Sequence, residues 1–180
     1  MAHNVLGQSY FFLAMTPIIA GHEIALRTHL RGLPQGPGSP LAKVTRTHFG
    51  RWVIMPQPAF QGAPMHPDPF KSQYLFFSAS FDGDLPSYLD DLRTLIPEEC
   101  DAIWSHCAGY PGTKDRAGFA RYLTHNQIDT EVPFSAYPDA TVGRVRESLA
   151  RRDELLKFTV DTQGLDDAEL HTRWQETFGA

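Results

Sequence analysis

The sequence has only two cysteines, Cys100 and Cys107. On a helix, residues seven apart stand about two turns, roughly 10 Å, from each other, too far for a disulfide. They read as free thiols in a reducing compartment. No run of Lys or Arg occurs, and the net charge is -5. Nucleic acid and anionic membrane surfaces are therefore not expected partners. The early apolar run YFFLAMTPIIA at 10–20 has no basic start and contains Pro17. It is too short to span a bilayer and does not read as an export signal. These absences lead to the expectation of a cytoplasmic protein. There is no GxGxxG and no Walker motif, which argues against nucleotide cofactors. No HxxxH, HExxH or CxxC pattern points to zinc. No internal repeat or low-complexity segment is present.

What is present suits one globular domain with a real core. The 180 residues are 42% apolar and 21% charged. Residues 1–180 read as a single domain, with a core over 8–138 and a C-terminal helical extension over 139–180. Gln8 to Ile18 reads as a strand ended by Thr-Pro. A helix follows, with Ile24, Leu26, Leu30 and Leu33 as its stripe between Gly21 and Gly32. Thr47 to Met55 and Gln73 to Gly83 read as strands, the second with Leu75, Phe77, Ala79 and Phe81 on one face. The proline-rich stretch between them, 56–70, can hold no regular structure and is long enough to act as a lid.

Asp84 reads as the N-cap of a helix whose apolar face is Tyr88, Leu89, Leu92, Leu95 and Ile96. Pro97 breaks or kinks it, and a further helical piece runs from Glu98 to Cys107. A short helix over Thr113 to Asn126 places Phe119, Tyr122 and Leu123 inward. Glu131 to Tyr137 reads as a fourth, short strand. A long helix starts at Asp139 or Thr141, with Val142, Val145, Leu149 and Leu156 on one face. Leu165, Leu170, Trp174 and Phe178 are docking points in the tail.

This order is α+β and contains the ferredoxin-like split βαβ pattern with a four-stranded antiparallel sheet. Helices cover one face of such a sheet. In the second strand His48, Trp52 and Ile54 share one side, and Phe49, Val53 and Met55 the other. The uncovered face is therefore apolar and needs a cover. The segments TPIIAGHEIALRTHL, THFGRWVIM, YLFFSASFDGDLPSYLDDL and AIWSHCAGYPG make the chain resemble the dimeric α+β barrel superfamily, over about residues 10–137. THFGRW, FDGDLPSYLDDL and HCAGYPG also resemble segments of a set of uncharacterised bacterial proteins. The superfamily resemblance implies a homodimer that covers the open face with a second sheet, and a small-molecule pocket between sheet and helices. It also implies a range of chemistry, from haem peroxidases to cofactor-free monooxygenases, decarboxylases and cyclases.

His106 stands at a helix end before a Gly-Tyr-Pro-Gly turn. It is either a polar helix-end residue beside free carbonyls or the proximal ligand of a haem iron. In the haem reading Trp52, Phe77, Trp104 and Tyr110 line the cofactor, and Arg51 and His48 serve its reactive side in a peroxidase- or monooxygenase-like oxidoreductase. In the cofactor-free reading His48 or His125 is the general base, and Arg51 holds an enolate or carboxylate. Asp82, at a strand end, is a weaker acid–base candidate, and a turn residue otherwise. A third reading is a non-catalytic module that binds a lipid-like or aromatic ligand or another protein. Cys107 reads as a buried structural thiol.

Overall fold

The computed structural model describes residues 4–56, 62–63 and 72–179. The proline-rich stretch read as a possible lid falls largely outside the described residues. The chain divides into two compact units, Met1–Val142 and Gly143–Ala180. Among the described residues there are four strands and six α-helices. In chain order these are β1 (Val5–Leu6), β2 (Ser9–Pro17), α1 (Glu23–Gly32), β3 (Thr47–Met55), β4 (Tyr74–Asp82), α2 (Leu85–Leu95), α3 (Pro97–Trp104), α4 (Arg116–His125), α5 (Val142–Asp161) and α6 (Asp167–Phe178). The sheet is antiparallel throughout, in the order β1-β2-β4-β3. The fold is thus α+β and consistent with a ferredoxin-like arrangement. None of the described helices is long and apolar enough to cross a membrane.

Strict alternation decides which face of the sheet is buried. Phe12, Ala14 and Thr16 of β2 point one way, with Leu75, Phe77, Ala79 and Phe81 of β4 and Ile54 of β3, and all are buried, as is Ile18 just past β2. Against this face pack Leu26 of α1, Tyr88, Leu89 and Leu92 of α2, Ile103 and Trp104 of α3, and Phe119 and Leu123 of α4. Helix α2 starts where the sequence marks it, with the Asp84 carboxylate accepting the Ser87 N–H at 2.9 Å. Pro97 opens a new helix, because Ile96 leaves helical geometry at φ -136° and ψ 47°. The Asp84 carboxyl is held below its usual range, chiefly by the Ser87 amide.

The fourth strand is not where the alternation suggests. Residues 131–137 form no strand. The sheet position beside β2 is taken instead by β1, through a two-residue hairpin. Gly7 makes that hairpin possible. Its φ is +60°, and a side chain there would strike the Pro138 carbonyl.

The rest of this edge of β2 is satisfied by turns. The N–H groups of Phe11, Met15 and Ile19 donate to the carbonyls of Asn4, Asn126 and His106, at 2.7, 2.8 and 2.9 Å. The carbonyls of Leu13 and Pro17 accept the N–H groups of Ile128 and Ala108 at 2.8 Å each. Every second residue thus finds a partner, and three distant pieces of chain do the work of one strand.

A β-bulge interrupts β3. Thr47 pairs with Phe81 and Phe49 with Ser80, so His48 is the extra residue. It is Thr47, not His48, that faces the core side, where its hydroxyl meets Tyr88 Oη at 3.1 Å. Ser80 lies on the uncovered face and brings Phe49, Arg51 and Val53 there with it.

The second unit is a helical pair. Phe158 of α5 packs on Trp174 and Phe178 of α6, with ring centroids 5.5 and 5.3 Å apart. Asp166 caps α6 by accepting the N–H groups of Ala168 and Glu169 at 3.0 and 2.9 Å.

Candidate functional site

The open face of the sheet carries a cleft of about 580 Å³. Its floor is Phe11 and Leu13 of β2, Phe49 and Arg51 of β3, and Ser78 and Ser80 of β4. Its far wall is the segment that follows α4, through Val132, Pro133 and Phe134. Phe49 and Phe134 are 80% and 81% exposed. Arg51 is exposed too, opposite Ser78 across the ladder, and makes no side-chain hydrogen bond or ion pair among the described residues. The cleft is therefore mainly aromatic and aliphatic, with one cation, Arg51, and three hydroxyls, from Ser78, Ser80 and Thr130. No histidine or carboxylate is among its lining residues. A side chain at Gly50 would come within 2.6 Å of Leu41 Cδ1, so Leu41 would have to shift to admit one.

His48 and Asp82 are brought together by the bulge. The imidazole Nε2 lies 2.7 Å from Asp82 Oδ1, and both side chains are mostly buried. The second carboxylate oxygen accepts the Val142 N–H at 2.7 Å. Asp82 lies on the same face as Ser80, one strand position beyond the cleft. The pair has the form of a histidine oriented by a carboxylate. It also works as a clasp joining β3, β4 and the start of α5.

The residues expected to line a cofactor form the core instead. Phe77 and Trp104 are fully buried and lie 5.3 Å apart edge to face, and Trp52 stacks on Phe77 at 5.3 Å. Tyr110 and Phe119 close on Trp104 at 6.5 and 6.2 Å. Tyr110 is tied down as well, its hydroxyl donating to Asp101 at 2.7 Å. Thr113 donates to the same carboxylate through its N–H and hydroxyl, at 2.9 and 2.8 Å. Burial opposes the charge on Asp101, but the bonds from Tyr110 and Thr113 outweigh it and hold the carboxyl below its usual range. Burial first, and then Asp101, push the Tyr110 phenol far up.

His106 lies outside this cluster. Its carbonyl accepts the Ile19 N–H, and its Nδ1 sits 3.2 Å from Nδ1 of His22, at the start of α1. Two neutral imidazoles can share that bond only if one ring is protonated at Nδ1 and the other is not. Among the described residues no group of three metal-ligating side chains gathers there. A haem does not fit this arrangement: the rings that would flank it fill the space between sheet and helices, and His106 turns toward His22. His125 ends α4, is exposed, and has no side-chain partner among the described residues. Cys107 is buried and accepts a weak bond from Thr16 Oγ1 at 3.4 Å, and burial pushes its thiol up to about 11. It stays protonated and inert near neutrality.

Burial, followed by the nearby His22 and His29, holds the His106 imidazole below its usual 6.5. Above that pH the ring is neutral in folded and unfolded chains alike, and its contribution is complete. As pH falls from 6.5 toward the lowered folded value, the unfolded chain binds more protons and stability declines. We expect a thermal melt to lose stability between pH 7.5 and 5, and the His106→Asn variant to lose less. Identical pH profiles for the two proteins would sink this assignment.

The sequence reading named Arg51, His48 and Asp82, and the structure gathers them on one side of the sheet. It missed the wall at Val132–Phe134, because that segment's β-forming residues looked like a strand. It also missed the His22 partner of His106, for which no local pattern exists. No protein-family model, no curated protein and no solved structure matches this chain.

Proposed function

We propose that the protein binds a small apolar anion, a carboxylate on an aromatic or aliphatic body, on the open face of its sheet. The observation that carries this reading is Arg51, a guanidinium without a partner among the described residues, set in an apolar cleft of about 580 Å³. That size is in the range of small-molecule sites, which combine apolar walls with few polar groups. Arg51 grips the carboxylate, Ser78 and Ser80 offer hydroxyls, and Phe11, Phe49 and Phe134 hold the body. The exposure of Phe49 and Phe134 also favours a cover, and in this reading a second copy's sheet provides it, as the barrel resemblance implies. The test is fluorescence titration with anilinonaphthalene sulfonate, an apolar anion, followed by displacement. Decanoate should displace it and decylamine should not. Equal displacement by both would remove Arg51 as the anchor.

One observation favours a second reading, cofactor-free acid–base chemistry on the bound anion. It is the 2.7 Å bond between His48 and Asp82 beside the cleft. In that reading Asp82 fixes the tautomer through Nε2 and leaves Nδ1 to take a proton. Asp82→Asn keeps an acceptor for Val142 but inverts the tautomer. Turnover of a candidate substrate should then fall by about 100-fold or more, the scale of one lost acid–base group, with little change in melting temperature. If Asp82→Asn melts lower while any turnover stays intact, the pair is only a clasp.

A further inference from the structure

We propose that α5 pairs antiparallel with the α5 of a second copy of this chain. Phe158 is committed to α6. On the opposite side of the helix, Val145, Leu149, Leu156 and Val160 fall within an arc of about 60°. They are 38% to 65% exposed, although a soluble helix normally buries such a stripe. Their spacing is symmetric about the point between Arg152 and Asp153. An antiparallel partner centred there sets its Val160 opposite Val145 and its Leu156 opposite Leu149. Each layer then holds a matched aliphatic pair, and the contact is the same from both sides, as a two-fold interface requires.

Charge selects the orientation. The first half of α5 carries Arg144, Arg146, Arg151 and Arg152 against one acid, Glu147, and the second half carries Asp153, Glu154 and Asp161 against one base, Lys157. Antiparallel pairing sets the basic half of each copy along the acidic half of the other, and parallel pairing sets like on like. Antiparallel pairing also opposes the helix dipoles. Four aliphatic side chains per copy make a small interface, well under the ~800 Å² per partner of a standard one. The association is therefore weak and dependent on concentration. It involves the second unit alone, and its failure would leave the reading of the cleft untouched.

The test is trapping in the full-length chain. Val145→Cys and Val160→Cys variants are made separately, mixed at on the order of 100 µM, where small interfaces begin to fill, and treated with a short bismaleimide. The native Cys100 and Cys107 are buried and stay out of the reaction. The mixture should give a covalent dimer, and each variant alone should give at least tenfold less. Adding Leu149→Asp and Leu156→Asp to both should abolish the product. No product from the mixture, equal product from Val145→Cys alone, or survival of the product in the aspartate background would each overturn the pairing.

Discussion

Trp104→Ala is expected to lower the unfolding free energy of the first unit by about 3–5 kcal/mol, the range for removing a buried aromatic. The indole is fully buried and touches Phe77, Trp52, Phe119 and Tyr110 at once. Those neighbours cannot collapse into the gap. Helix α3 is pinned at one end by the break at Ile96, and the turn after it is bonded to β2 through the Ala108 N–H, which donates to the Pro17 carbonyl. The Trp104 N–H has no hydrogen-bond partner among the described residues. Trp104→Phe therefore gives up volume but no bond, and should lose clearly less than the alanine variant. Urea denaturation followed by circular dichroism measures both. A ligand-pocket wall would behave in the opposite way, with stability nearly intact and binding lost. An alanine variant within about 1 kcal/mol of the parent, well below the cost of a core cavity, would return Trp104 to that role.

The alternation that puts Leu75, Phe77, Ala79 and Phe81 on one face is visible in the sequence, and so are the Asp84 cap and the Pro97 break. These signals are local, and nothing distant competes with them. Three features were not legible, each for a physical reason. The bulge at His48 shifts the period of β3 by one, so every face assignment before it inverts, while the sequence shows only an unbroken β-rich run. The edge of β2 is filled by Asn4, His106–Ala108 and Asn126–Ile128. No propensity marks these pieces, because their backbone groups are used and not their side chains. The segment at 131–137 has the composition of a strand, yet its Val132, Pro133 and Phe134 serve as a wall over the open face. Histidine chemistry is the hardest to read. The sequence set His106 among Trp104 and Tyr110 by proximity in the chain, but its partner is His22, 84 residues away.

Arg51→Glu should abolish binding of apolar carboxylates, and Arg51→Gln should weaken it about tenfold. A hydrogen bond to a charged group contributes about 1.5–3 kcal/mol when well shielded, and about 1.4 kcal/mol is a factor of ten in affinity. Arg51 is exposed, so solvent screening places glutamine at the lower end of that range. Glutamate adds repulsion between two anions to the lost bond. Neither change should move the melting temperature much, because the side chain has no partner among the described residues and lies off the core face. The amine ligand separates charge from shape. Decylamine has the same apolar body as decanoate and should bind Arg51→Glu better than it binds the parent. If the glutamate variant instead loses both ligands equally, the cleft selects by shape alone and the anion reading falls. If it gains the amine as it loses the acid, one residue on the open face of the sheet sets the sign of the ligand.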